Sequence, residues 1–108
     1  MTTKFRGGMG ELMRQASRLQ RKVERRKEEL KTETVEATSG NDQVKVVVNG
    51  AGQLVSVTID PALLQKEELA MVQDLIVAAS NAAIAKSQQM VEAEIEKVTG
   101  GIQIPGLV

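Results

Sequence analysis

The chain of 108 residues contains no cysteine, no histidine, no tryptophan and no tyrosine, and its single aromatic residue is Phe5. Without cysteine it cannot form disulfides or thiolate metal sites, and this composition is consistent with the reducing cytosol. Without histidine it lacks the commonest general base and the commonest metal ligand. We therefore expect a protein with no enzymatic activity, no cofactor, no bound metal and no small-molecule substrate.

Targeting and membrane-spanning segments are also missing from the sequence pattern. No N-terminal stretch has the charged, apolar and small-residue regions of a signal peptide. No apolar run approaches the roughly 20 residues that span a bilayer. The length fits one domain. We expect a cytoplasmic protein with no membrane partner.

Charge is distributed unevenly along the chain, although the formal net charge is zero. Residues 1–31 contain ten basic and four acidic side chains, a net charge of +6, whereas residues 32–108 carry a net charge of −6. Such asymmetry indicates that one end of the chain meets a polyanion.

Hydrophobic periodicity predicts two long helices and three strands between them. No Gly or Pro follows Gly10 until the first turn cluster, Val44, Val46 and Val48 lie on one face of the clearest strand, and Asp60-Pro61 is a helix-start signature. The predicted order is a flexible basic arm over 1–8, then a single domain over 9–108 with helix 9–33, strands 34–38, 43–48 and 54–59, helix 66–98 and tail 99–108.

This order defines the fold class as α+β, with the succession α-β-β-β-α and a three-stranded antiparallel sheet flanked by two long helices. Helices of 25–33 residues are roughly 38–50 Å long at 1.5 Å per residue. A compact domain of this size has a radius of gyration of about 13 Å. Because such helices overhang one globule, their apolar stripes need a partner, and we expect a homodimer.

The first helix has an apolar face and a basic face. On a helical wheel, one face carries the apolar seam, and roughly the opposite face carries the arginine ridge. A row of guanidiniums can follow a phosphate backbone, since their planar forks match phosphate oxygens. The alternative is a solvated face with i,i+4 ion pairs, but the acids are few and lie off the ridge. The seam consists of Leu12, Ala16, Leu19, Val23 and Leu30, interrupted at Arg26, and the ridge of Arg14, Arg18, Arg21 and Arg25.

The near absence of aromatic residues favours duplex DNA over single strands or RNA. Proteins that bind single strands and RNA commonly stack bases on aromatic side chains. Duplex DNA held through phosphate contacts needs no such side chains. A helical adaptor that docks its basic helix on an acidic protein in DNA replication or recombination is the alternative.

Other motifs have simpler explanations than binding or catalysis. The glycines around Met9 do not complete GxGxxG and follow no strand, which favours a hinge over a phosphate cradle. Asp60 is better explained as a helix cap, and Glu92, Glu94 and Glu96 lie two apart, so they cannot share one helical face. Asn81, in an alanine-rich helix, is expected to be a hydrogen-bonded packing or register residue rather than part of a ligand site.

Five segments of the sequence form a recognisable set when they are read together. They are Gly8-Met9-Gly10-x-Leu12-Met13, Val44-x-Val46-x-Val48-Asn49-Gly50, Val57-x-Ile59-Asp60-Pro61-x-Leu63-Leu64, Asp74-Leu75-Ile76-x-Ala78-Ala79-x-Asn81-x-Ala83 and the Gly-rich, Pro-containing tail. In this order and at these spacings they resemble the YbaB/EbfC family of bacterial nucleoid-associated proteins. Two departures are Ser80, where the family often has Phe, and a first helix richer in Arg than in Met and Gln.

The resemblance implies an α-β-β-β-α chain, a tweezer-like homodimer with protruding helices, DNA binding in the bacterial nucleoid, and neither cofactor nor catalysis. It agrees with the hypothesis drawn from the charges that double-stranded DNA is the partner, bound mainly through phosphates. The resemblance further implies a role in nucleoid organisation and gene regulation. The expected DNA-binding residues are Arg14, Arg18, Arg21, Lys22 and Arg25 on the helix, assisted by Lys4 and Arg6 on the arm.

Overall fold

The computed structural model describes residues 2–65 and 69–102, with side chains from residue 8 onward. Its element order confirms the predicted α-β-β-β-α succession, with one short helix added before the last long one. The elements are α1 (Thr2–Leu30), β1 (Thr34–Ser39), β2 (Val44–Asn49), β3 (Leu54–Ile59), α2 (Pro61–Leu64) and α3 (Leu69–Thr99).

The three strands form an antiparallel sheet in the order β1-β2-β3. Val46 is opposite Ala37 on one side and Val57 on the other, so these three residues share a face of the sheet. A shift of register at Val47/Val48 aligns Val48 with Leu54, which leaves Val55 as an extra residue of β3. One face of the sheet is therefore apolar along all three strands.

The core lies between this apolar face and α3. Val44, Val46 and Val48 are buried, and α3 covers them with small side chains, notably Ala79 and Ala83. Small residues allow the helix axis to approach the sheet closely. Helix α3 lies across β1 and β2 and makes few contacts with β3. The apolar side of β3 is left half-uncovered within one chain.

The short helix α2 begins with the capping chemistry that the sequence predicts for Asp60-Pro61. The Asp60 carboxylate accepts a hydrogen bond from the Ala62 amide at 3.0 Å, and Pro61 occupies the first turn of α2. The predicted start of the long helix at residue 66 lies outside the described residues, and α3 is described from Leu69 onward.

The first helix differs from its predicted bounds at both ends. The expected arm over residues 1–8 is wrong for residues 2–8, because α1 begins at Thr2. Each glycine in this stretch lowers helix propensity by up to about 1 kcal/mol, which is why a break was expected there, but glycine remains compatible with helix. The helix ends at Leu30 rather than residue 33, because residues 31–33 form a turn that leads into β1.

Gly50, in the β2–β3 turn, packs directly against the end of α1. Its amide is within hydrogen-bond distance of two carbonyl oxygens, Leu30 O at 3.1 Å and Glu33 O at 3.0 Å. A Cβ at this position would lie 2.1 Å from the Leu30 oxygen. The turn can therefore approach the end of α1 only because residue 50 has no side chain.

The molecule is strongly elongated, as the helix lengths predicted. It measures 78 × 18 × 17 Å and has a radius of gyration of 21.0 Å, against about 13 Å for a compact domain of this size. The excess arises because the buried residues of α1 are Val23 and Leu30, in its C-terminal part, while the preceding turns extend away from the sheet.

Among the described helices, α3 is long and apolar enough to cross a membrane by length and composition alone. The prediction that no apolar segment approaches the length needed to span a bilayer was therefore wrong for α3. Val72, Ala79, Ala83 and Ser87 are nevertheless buried on one side of α3. Packing on the sheet explains the apolar residues on that side, whereas Leu69, Met71 and Val77 of α3 are exposed.

Gly50→Ala should destabilise the fold, because the new Cβ would collide with the backbone of Leu30. Overpacking against rigid backbone costs at least about 1–3 kcal/mol, which is measurable by urea denaturation. Gly10→Ala is the control, since a Cβ at residue 10 would have no atom within 4 Å and alanine favours helix. Equal stability of Gly50→Ala and the native chain would contradict the close approach.

Candidate nucleic-acid interface

The arginine ridge lies on the exposed face of α1. All four of its members, Arg14, Arg18, Arg21 and Arg25, are exposed, as is Lys22 between them. Their 4-3-4 spacing places successive side chains roughly 4.5–6 Å apart along the helix axis. The fold therefore presents a row of cations on a helix that projects from the domain.

Ion pairing divides the ridge into two parts. Arg14 donates to the Glu11 carboxylate from Nε at 3.2 Å and from Nη2 at 3.0 Å, so its charge is partly neutralised within the helix. Among the described side chains, no carboxylate lies within 4.0 Å of Arg18, Arg21, Lys22 or Arg25. In the described part of the chain, those four cations are therefore not engaged in an ion pair. The side chains of Lys4 and Arg6 lie outside the described residues.

Arg26 has a different environment from the ridge. Its side chain is 25% exposed, and its Nη2 atom donates to Glu94 of α3 at 2.5 Å. Its Nη1 atom lies 3.0 Å from the carboxylate of Glu33 and 3.3 Å from that of Glu29. The hydrogen bond to Glu94 is the main reason that the pKa of Arg26 is raised. Arg26 is an internal cation that joins α1 to α3.

Glu94 is the anionic centre of this contact. Lys97, one turn further along α3, lies 2.6 Å from its second carboxylate oxygen. The hydrogen bond from Lys97, followed by that from Arg26, holds the pKa of Glu94 below its usual value. This pair was not predicted from the sequence, although one signal was present: a charged residue that interrupts a buried apolar seam needs a partner of opposite charge.

The apolar seam is only partly used within one chain. Val23 and Leu30 are buried against the domain and Leu19 is half-buried, whereas Leu12 is 62% exposed and Ala16 is exposed. Met13 beside the seam is also exposed. The seam therefore anchors the C-terminal part of α1 and continues uncovered along the projecting part.

Comparison with known proteins places this fold and this helix in a family. The profile of the YbaB/EbfC DNA-binding family matches residues 6–102. The chain belongs to the YbaB/EbfC DNA-binding family. The family is described as DNA-binding, and the projecting basic helix lies almost entirely within the matched residues.

Several curated relatives cover nearly the whole YbaB/EbfC chain. A nucleoid-associated protein of Acetivibrio thermocellus is 46% identical over 95% of this chain and 92% of its own length. A nucleoid-associated protein of Thermoanaerobacter sp. is 41% identical over 95% of both chains, and one of Moorella thermoacetica is 47% identical over 93% of this chain and 96% of its own.

A solved structure shows the same YbaB/EbfC fold. The crystal structure of an uncharacterized protein from Helicobacter pylori superposes with a TM-score of 0.59 and 24% sequence identity, covering 82% of this chain and 98% of the other. At this identity the likeness supports the fold and nothing further.

One residue singled out in the sequence, Asn81, has an ordinary position in this YbaB/EbfC chain. Asn81 is exposed on α3, so the expectation of a packed residue was wrong, since α3 contacts the sheet on its opposite side. Ser87 is the buried polar residue of α3 instead, and its hydroxyl donates to the Asn49 carbonyl at 2.6 Å. Within the described ranges, no group of three acidic side chains is placed to hold a metal ion.

The Glu94 contact should make stability depend on pH in a defined direction. Because the pKa of Glu94 is lowered in the folded chain, its stabilisation is present above the pKa of the unfolded carboxyl and is lost as pH falls through the lower folded value. Urea denaturation should therefore separate the native chain from Glu94→Gln at pH 7 and not at strongly acidic pH. Glu92→Gln is the control, and an equal gap at both pH values would contradict the assignment.

Proposed function

We propose that this chain binds duplex DNA as a homodimer, mainly through phosphate contacts from α1, and takes part in nucleoid organisation and gene regulation. The observation that carries the proposal is the exposed row of Arg18, Arg21, Lys22 and Arg25, which has no carboxylate within 4.0 Å among the described side chains. Guanidiniums left without an internal anion are available to an external one. The names of its relatives agree with this function and with a place in the nucleoid.

A duplex is the polyanion that best fits these side chains. Phosphate contacts position a protein on DNA without reading its sequence. The chain has one aromatic residue, Phe5, so a stacking surface for unpaired bases is not part of the ridge. Arg14 contributes less in this scheme, because Glu11 competes with phosphate for its guanidinium. Lys4 and Arg6 remain proposed assistants at the beginning of the helix.

The uncovered side of the sheet supports the homodimer. Leu54 and Val57 of β3 lie on the apolar face and are 47% and 42% exposed. Val77 and Leu69 of α3 are further apolar side chains exposed within one chain. A β edge with an apolar face is a site for association and for aggregation if left open. A second copy that covered this surface would leave two α1 helices projecting, which is the tweezer-like arrangement.

Removing two ridge charges should weaken DNA binding far more than removing two charges elsewhere. The test variant is Arg18→Gln with Arg21→Gln, and the matched control is Lys31→Gln with Lys45→Gln, which changes the net charge equally. Loss of two phosphate contacts should lower affinity for a duplex at least about tenfold at moderate salt, measured by fluorescence anisotropy.

Equal weakening by both double variants would contradict a role for the ridge in particular. Retention of a stoichiometric acidic protein after nuclease treatment, with no binding to naked duplex, would instead support the adaptor function.

A charge placed on the uncovered side of β3 should dissociate the dimer. Val57→Lys buries an ammonium in the proposed contact, whereas Thr58→Lys places the same charge on the opposite face of the strand. Light scattering at micromolar concentration should give a dimer mass for the native chain and for Thr58→Lys, and a monomer mass for Val57→Lys. A monomeric native chain would contradict the proposal.

A further inference from the structure

Arg26 is held by carboxylates from three separate parts of the chain. Glu29 belongs to α1 itself, Glu33 to the turn after α1, and Glu94 to α3. A guanidinium is planar and presents its donors in a fixed fork, so partners on several sides restrict its orientation. Arg26 therefore fixes α1 relative to two other elements at once.

The same residue is poorly placed to contact DNA. On the helical wheel it lies within about 40° of the apolar seam and far from the ridge. Its side chain is only 25% exposed, whereas the neighbouring Arg25 faces solvent. A cation that is already bound to three carboxylates would have to leave them before it met a phosphate.

Arg26 lies where a small change in the direction of α1 produces a large displacement of the ridge. It lies between the anchoring residues Val23 and Leu30, and the projecting part of α1 begins just before them. About 20 residues of helix extend roughly 30 Å beyond this point. A rotation of about 10° at the anchor would then displace the tip by about 5 Å, more than the 3.4 Å axial spacing between phosphates on one DNA strand.

We infer that Arg26 and Glu94 form a positioning pair, which sets the direction of α1 and thereby aligns Arg18, Arg21, Lys22 and Arg25 with the phosphates of a duplex. The functional part of this inference rests on the proposed DNA binding, while its geometric part concerns the free protein. The pair acts through the helix it orients and does not itself contact DNA.

The effect of Glu94→Gln on DNA affinity distinguishes positioning from simple electrostatics, because the two predict changes in opposite directions. The change removes one negative charge and frees a cation, so electrostatics alone predicts tighter DNA binding. Positioning predicts weaker binding, by about fivefold, at the low end of couplings between separate sites. Glu92→Gln is the matched control, because it removes the same charge from the same helix. Glu92 lies two residues before Glu94 and makes no ion pair among the described residues.

The direction of α1 can be measured without DNA because the chain contains no cysteine. Spin labels at Gln15→Cys in α1 and Gln89→Cys in α3, diluted with unlabelled chain, report the distance between the helices by electron double resonance. We expect a narrow distribution for the native background and for Glu92→Gln, and a broader one for Glu94→Gln. Arg26→Lys, which keeps the net charge but loses the planar fork, should also broaden it, with helical content checked by circular dichroism.

The spin-label distances and the DNA affinities test different parts of the inference, and each can contradict its own part. An unchanged distance distribution in both Glu94→Gln and Arg26→Lys would overturn the positioning role. A broadened distribution with DNA affinity equal to that of Glu92→Gln would overturn the link between positioning and binding. If the native chain did not bind duplex DNA at all, the proposed function would fail, and the distance measurement would still decide whether the pair orients α1.

Discussion

The attachment of the C-terminal part of α1 to α3 and the β2–β3 turn is the contact on which the architecture depends. Val23 and Leu30 are fully buried there, and Gly50 lets the turn reach the backbone of Leu30. Apolar burial supplies the non-directional stabilisation, whereas the Arg26–Glu94 pair supplies direction. The part of α1 that precedes this attachment projects from the domain, so the contacts at Val23, Arg26 and Leu30 determine its direction.

Helix α1 packs on the domain through its C-terminal part and presents a charged face to solvent along its projecting part. Near its end the seam is a packing surface, and further toward the N-terminus the same seam is exposed at Leu12. The ridge runs along the opposite face and faces solvent at Arg18 and Arg21. A helix that served only to complete the core would need neither the projection nor the unneutralised cations.

Much of the fold could be predicted from local chemistry. Alternating valines identified β2, Asn49-Gly50 identified the hairpin turn, and Asp60-Pro61 identified the helix start, because each signal acts over a few residues. The ends of α1 could not be predicted in this way. Its C-terminal end at Leu30 contacts Gly50, which is distant in the chain, and glycines near the N-terminus lowered the predicted helicity without preventing it.

For the candidate site, too, the sequence predicted the features that lie within one helix and missed the contacts made by individual side chains. The wheel separated ridge from seam correctly, since both are properties of one helix. It could not show that Glu11 pairs with Arg14, or that Arg26 is held by Glu94, sixty-eight positions along the chain. The partial exposure of β3 also depends on where α3 crosses the sheet, which no local pattern records.

The salt dependence of duplex binding tests the central claim most directly, because it counts the phosphates that the projecting helices neutralise. For a dimer that neutralises about 6–10 phosphates, the logarithm of the affinity should fall linearly with the logarithm of salt concentration, with a slope of about −5 to −9. The affinity would then drop by about 10³–10⁵ between 50 and 200 mM salt. A slope near zero would contradict the account.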